Sequence, residues 1–245
     1  MQGDGLNLKK TGEGFAKSGE GVSSEKSNEN VERKFCFVKP GEIEKESFRI
    51  IGEELDEQGI SLEKIKAPYI MRCIHTSADF SYAKTLYFSK NAIETLEELI
   101  RQGASIICDT NMALAGVNKT ALKKNGCEAH CFMADERIRE IAQKEGITRA
   151  AASMQAATHL DGKKIFAIGN APTALIELDR LHREKGFDPD FIIGVPVGFV
   201  NVEYAKELII KSDIPCIVNR GRKGGSNIAA CLVNAALYSV EHRTL

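Results

Sequence analysis

Five stretches of the chain combine residue types that can do chemistry. His75 is followed by Thr76, Ser77 and Ala78, and an imidazole at such a junction changes charge near neutral pH, as a general acid must. Asp109, Thr110 and Asn111 follow the apolar run ending at Cys108. Gly169, Asn170, Ala171, Pro172 and Thr173 follow Ile168 and read as a sharp turn into a helix, with Asn170 or Thr173 as the cap. Gly194 to Gly198 forms a Gly/Pro loop after Ile193. The stretch from Asn219 to Asn227 carries Arg220, Arg222 and Lys223 among three glycines, ahead of Ser226 and a further helix. Glycine lets backbone amides approach a ligand, helix N-termini attract anions, and guanidinium groups grip carboxylates or phosphates in pairs. The loop lacks the Gly-Lys-Ser/Thr order of a P-loop and the Gly-x-Gly-x-x-Gly spacing of a dinucleotide site. Each stretch also has a plainer reading: a solvated basic turn, ordinary helix capping, loop punctuation, or a structural histidine. Two anion-friendly termini flanking a Gly/Pro loop suit a large, multiply anionic ligand.

The remaining histidines and the cysteines carry less. His159 and His182 fall on helical patterns among polar neighbours and His242 lies in the C-terminal tail, so these read as solvated; His130 reads as a strand residue. Seven cysteines run without a repeated spacing and are read as free thiols of a reducing compartment. Cys127, His130 and Cys131 lie close together, but no second pair completes a zinc site, so no metal is expected.

These residues need elements to hold them. Residues 1–34 are rich in Gly, Ser and charge and poor in large apolar side chains, which predicts a disordered or tag-like extension over 1–40. A single α/β domain is expected over 41–245. It begins with a helix whose Ile43, Ser47, Ile50, Ile51 and Leu55 share a face and which stops near Gly59. Further helices are expected over 62–75 and 91–102. Apolar runs then recur at Ser105–Cys108, Glu128–Phe132, Lys164–Ile168, Phe191–Ile193 and Cys216–Val218, with helical patterns at 135–144, 149–159, 173–186, 202–211 and 226–240. That alternation predicts an open, doubly wound, mostly parallel five-stranded sheet with helices on both faces and additional N-terminal helices. Ligands of such sheets bind outside the carboxyl ends of the strands, where the chemical stretches fall. Lys and Arg number 33 against 34 Asp and Glu, with no basic excess for nucleic acid. No apolar run approaches the about 20 residues that cross a bilayer. With no signal-peptide core either, a cytoplasmic location away from membranes is expected.

The segments IEKESFRII (43–51), IMRCIHTSADF (70–80), ASIICDTNMALAGV (104–117), AIGNAPTAL (167–175), IIGVPVGFVNVEYAKE (192–207) and NRGRKGGSNIAA (219–230) follow in order. With them the chain resembles the precorrin-8X methylmutases, of both the metal-free and the cobalt-precorrin-8 types, from about residue 40 to 240. The resemblance implies an isomerase of cobalamin biosynthesis that moves a methyl group between adjacent carbons of a corrin precursor, giving hydrogenobyrinate or cobyrinate. It implies a homodimer with shared active sites, a tetrapyrrole substrate, and no cofactor of the protein's own, any cobalt belonging to the substrate. His75 matches the family's catalytic histidine, which would protonate or hydrogen-bond a macrocycle nitrogen. Arg149 in the ITRAA stretch, Arg220, Arg222, Lys223 and Ser226 are then candidates for the substrate's carboxylates. Ser47 and Thr76 are candidate hydrogen-bonding partners, with Asp109, Asn111, Asn170 and Thr173 from the strand-end turns. Thr-Ser-Ala after His75 resembles the cobalt branch. A non-catalytic carrier of the pathway product is the alternative; a nicotinamide or methyl-donor enzyme is disfavoured by the missing glycine fingerprint.

Overall fold

The computed structural model describes residues 38–242. The expected disordered stretch 1–34 therefore lies outside the described residues, and of the extension to residue 40 only 38–40 is inside, with Pro40 opening a short 3-10 turn, Pro40–Glu42. Helix α1 (Ile43–Glu57) leads to α2 (Ala67–Ser77), α3 (Tyr82–Thr85), strand β1 (Leu86–Phe88) and α4 (Ala92–Arg101). Next come β2 (Ser105–Cys108), α5 (Asn111–Gly116), α6 (Lys119–Lys124), β3 (Glu128–His130), α7 (Glu136–Glu145) and α8 (Arg149–Ala157). The chain finishes with β4 (Lys164–Ile168), α9 (Pro172–Lys185), β5 (Phe191–Gly194), α10 (Val202–Lys211), β6 (Cys216–Asn219) and α11 (Ser226–Val240).

The sheet has six strands in the order β1-β6-β5-β4-β2-β3, not the expected five. The added strand is β1, antiparallel to β6 with Tyr87 opposite Val218; all other pairings are parallel. Taken alone, the five parallel strands follow a doubly wound order whose direction of winding reverses between β2 and β4. Alternate strand residues point to opposite faces, and both faces are buried. Ile165, Ala167, Phe191, Ile193 and Ile217 pack with α1, α2, α4 and α11 side chains such as Ile51, Ile74, Leu96 and Leu232. Phe166, Ile168, Ile192 and Val218 pack with Met154, Leu178 and Ile209 from α8, α9 and α10. Helix α11 lies at the centre of the first face, against α2, α4 and α5, which explains why it is apolar almost all round.

Other expectations shift in detail. The second helix starts at Ala67 rather than 62, because Pro68 fits only its first turn. Strand β3 ends at His130, two residues short of the apolar run. On α1 the buried face is Phe48, Ile51 and Leu55, while Ile43 and Ile50 are exposed. Phe48 is the larger side chain, and its face wins the core.

His182 departs from its solvated reading. On α9, its Nε2 meets Asp213 Oδ1 at 2.7 Å and its Nδ1 lies 2.9 Å from Asp188 Oδ1, out of line for a hydrogen bond. The Asp213 bond raises the imidazole's pKa, and His182 in turn lowers that of Asp213. A raised folded pKa means this contribution is complete below the unfolded value, about 6.5, and disappears as pH rises through the folded value. Thermal melts are expected to show roughly 0.5 kcal/mol lost as pH rises from 6.5, the scale of an exposed pair. A His182→Gln variant should lack that slope; a variant that keeps it assigns the loss to another group.

Candidate functional site

The carboxyl ends of β2, β4, β5 and β6 lie along one edge, and the loops leaving them are woven together. Asp109, just past β2, receives the backbone N–H groups of Gly169 (2.9 Å), Asn170 (2.7 Å) and Ala171 (2.7 Å) on its two carboxylate oxygens. Thr110 caps α5 and shares a 2.8 Å hydrogen bond with Ser226 at the start of α11. Val195 N–H donates to Ile168 O, Gly225 N–H to Val195 O, and Gly198 N–H to Arg222 O. Two glycines make this weave possible. A Cβ on Gly169 would stand 2.6 Å from Ser226 Cα, and one on Gly224 only 2.0 Å from Val195 O, with φ at +156. A Gly169→Ala variant is expected to lose about 1–3 kcal/mol in urea unfolding, since the neighbours it meets are backbone atoms; wild-type stability would mean that the loops part freely.

The crevice between β2 and β4 is where sheets of this winding take their ligands. Here Asp109 fills it. Its side chain has no exposed surface and supplies the anion that the amides at the start of α9 attract. Burial pushes its carboxyl upward in pKa, and the three amides pull it back. Two expectations are corrected. Asp109 is buried and turned to its own chain, and it already occupies the N–H groups of Gly169, Asn170 and Ala171 that an external anion would use. Neither Asn170 nor Thr173 caps α9 with its side chain; Ala171 stands at the N-cap.

The open site lies beside that crevice, between α2 and α11. Arg72, His75 and Thr76 share one face of α2 and look across a cavity of about 320 Å³ at Asn227, Ala230, Cys231 and Asn234 of α11; Glu44 and Tyr238 complete its walls. His75 sits in the last turn of α2, exposed, with its ring centre 5.2 Å from that of Phe48 on α1 in an edge-on arrangement. Thr76 Oγ1 donates to Cys231 Sγ at 3.2 Å, which ties the histidine's turn to α11. Four residues further, Asp79 accepts from Lys223 Nζ at 2.6 Å, which ties it to the Gly-rich loop as well. That lysine holds the Asp79 carboxyl below its ordinary pKa.

Arg72 was not among the residues singled out from the sequence. Only 8% exposed, its guanidinium lies 5.2 Å from the Phe48 ring centre and 4.9 Å from that of Tyr238, and donates to Glu44 at 2.9 Å. A charge within the apolar turn Tyr69–Ile74, three residues before a histidine, was the available signal. The partners that bury it come from distant elements and left none.

The other candidates are distributed around this pocket. The three loop cations do not converge. Lys223 turns toward Asp79 and Ser81, Arg222 stacks over Phe199 at 5.4 Å near Glu203, and Arg220 stacks over Tyr87 and pairs with Glu207 at 2.6 Å. Ser226 is buried against Thr110, whereas Asn111 at the start of α5 and Asn170 in the turn after β4 are exposed. Ser47 donates to Ile43 O within α1. Arg149 is exposed at the start of α8 and lines a separate cavity of about 600 Å³ with Asp135, Glu136 and Arg139. The Thr148–Thr173 hydrogen bond, 2.8 Å, joins the N-cap of that helix to the first turn of α9. Among the described residues, no three His, Cys, Asp or Glu side chains gather as metal ligands would. Cys127 instead donates to Ile100 O.

Fold and site together define an α/β protein of doubly wound order whose usual ligand crevice is plugged and whose open pocket is built around a helix-end histidine. The sequence profile of the precorrin-8X methylmutase family matches residues 42–239. The chain belongs to that family. It is 40% identical over 203 residues to the cobalt-precorrin-8 methylmutase of Leptospira interrogans, covering 80% of this chain and 91% of that one. It is 31% identical over 204 residues to the precorrin-8X methylmutase of Sinorhizobium, covering 82% and 96%. A crystal structure of the precorrin-8X methylmutase from Thermus thermophilus superposes with a TM-score of 0.74 at 34% identity, covering 83% of this chain and all of that one.

Proposed function

We propose that the protein is a cobalt-precorrin-8 methylmutase, which isomerises its substrate to cobyrinate by moving one methyl group to the neighbouring ring carbon. The observation that carries this reading is the pocket between α2 and α11, with a solvent-accessible imidazole on one wall and hydrogen-bonded links to the cationic Gly-rich loop. His75 donates a proton or hydrogen bond to a nitrogen of the macrocycle. Electron density drawn toward that nitrogen weakens the bond between the methyl carbon and its original ring carbon, and the new bond forms as the old one breaks. Product and substrate have the same atoms, so no methyl donor enters. Arg222 and Lys223 exchange their exposed acidic partners for the substrate's acetate and propionate groups, an exchange that costs little because surface ion pairs are weak. Higher identity to the relative named for the cobalt-bearing substrate, and the Thr-Ser-Ala sequence after His75, favour that branch.

A cavity of about 320 Å³ accommodates only part of a tetrapyrrole, which calls for the upper end of the usual range, about 1,000 Å³. The remainder is supplied by a second copy. Phe199, Val200 and Tyr204 are 81%, 77% and 62% exposed, an apolar surface of the kind that oligomers cover. In a homodimer Arg149, remote from its own His75 cavity, serves its partner's site. The test is incubation of purified protein with cobalt-precorrin-8 and, separately, precorrin-8X, following the absorption change. Faster conversion of the cobalt form supports the reading. Tight product binding without conversion of either replaces it with a carrier role.

A further inference from the structure

Lys206 is a charged residue that the proposed reaction leaves unused. It lies in the middle of α10 with no exposed surface, among the most deeply buried large side chains of the protein. Its Nζ donates to two carbonyls of one loop, Gly221 O at 2.7 Å and Lys223 O at 2.8 Å. Asn219 Nδ2 donates to the same Lys223 oxygen at 2.8 Å. The loop therefore turns its carbonyls inward around an ammonium. Gly221, Gly224 and Gly225, with φ of +75, +156 and +140, supply the backbone conformations this winding needs. The side chains of Arg222 and Lys223 are left outside, about 58% and 60% exposed.

We infer that Lys206 is a positioning residue that sets the Gly221–Lys223 turn so that Arg222 and Lys223 face the substrate's carboxylates. This rests on the methylmutase reading and adds a determinant of substrate binding to it. A full positive charge under the loop carries a desolvation cost that a neutral donor would largely avoid. Burial pulls the ammonium's pKa down to about 8, opposed by Glu203, so the group is mostly protonated at neutral pH. Carbonyl oxygens are the ligands that compensate such a charge best without neutralising it. The loop keeps its net cationic character and its shape, and an anion approaching Arg222 and Lys223 also meets the field of the charge beneath.

The test compares wild type, Lys206→Met and Lys206→Gln by steady-state kinetics and by limited trypsin digestion of the folded full chain. Arg220, Arg222 and Lys223 are themselves trypsin sites, so cleavage reports loop order with no substrate present. Lys206→Met is expected to raise KM at least tenfold with kcat within threefold, and to speed appearance of the C-terminal fragment starting at Lys223 at least tenfold. Lys206→Gln, which keeps N–H donors without the charge and guards against a misfolded methionine variant, should be intermediate in both. An Arg222→Gln substitution should raise KM less in the Lys206→Met background than in wild type. Unchanged loop cleavage, unchanged KM, or a fall confined to kcat each overturns the inference. Absence of turnover by wild type counts against the methylmutase reading, and loop cleavage alone then decides whether Lys206 orders the turn.

Discussion

Replacing His75 by alanine is expected to slow methyl migration about 10²–10⁴-fold, the range for losing a positioned general acid, while product affinity stays within a few-fold. The separation follows from where the side chain sits. His75 is exposed at a helix end, and its ring makes one edge contact, with Phe48. Removing it costs about 0.5–1.5 kcal/mol of ring packing and leaves the α2–α11 wall in place. The groups proposed to bind the carboxylates lie on other elements, so binding is expected to rest on residues the substitution does not touch. Single-turnover absorption changes measure the chemical step and equilibrium titration with product measures binding. A variant that turns over normally removes the imidazole from the reaction. One that loses binding and turnover in proportion assigns it to substrate positioning.

Asp109→Ala is expected to have the opposite signature: a stability loss of about 3–5 kcal/mol, with the open pocket's chemistry affected only through the fold. The substitution leaves three backbone N–H groups at the start of α9 without their acceptor, each worth roughly 1–3 kcal/mol when buried and unmade, with partial relief from water entering the gap. Asp109→Asn should recover only part of the loss, because the amide's nitrogen faces a donor where an oxygen is wanted. Urea unfolding at neutral pH decides the matter. A midpoint close to wild type would show that the turn after β4 finds other acceptors, and that the crevice is held shut by the Gly169–Ser226 approach alone.

These two residues illustrate what could be read from the sequence. His75 was legible because a helix-end imidazole before small polar residues is a local pattern, and the ordered family segments gave it a role. Asp109 was legible as a polar residue past a strand, but its direction was not. Whether a carboxylate faces a ligand or three amides depends on a turn 60 residues away. The parallel strands and the helices after β3, β4, β5 and β6 are legible almost residue by residue, since doubly buried strands are continuous apolar runs and the longer helices carry a clear repeat, whereas the short α5 and α6 between β2 and β3 are not. Strand β1 escaped because three half-buried residues after a one-turn helix carry no period; pairing with β6 creates it. The face of α1 is legible only in part: Ile51 and Leu55 are buried as expected, while Phe48 takes the place of Ile43 and Ile50. Ile43 and Ile50 fit a helical repeat as well as Phe48 and Ile51, and only the position of α2 selects between them. Arg220 stands beside Arg222 and Lys223 in the chain, yet Tyr87 and Glu207 draw it elsewhere.

The segment leading into β1 also bears on when the pocket can form. Thr85, just before that strand, accepts from Arg220 N–H and donates to Asn219, so the histidine-bearing segment is latched to the last strand and, through Thr76, to the last helix. The latch joins positions separated by well over a hundred residues. During synthesis the ribosome releases His75 long before the helix that walls it in. A nascent chain stopped before residue 216 can already form most of the sheet, yet it has no pocket at all. Such distant closure is slow in folding, and the pocket is complete only once α11 stands against α2.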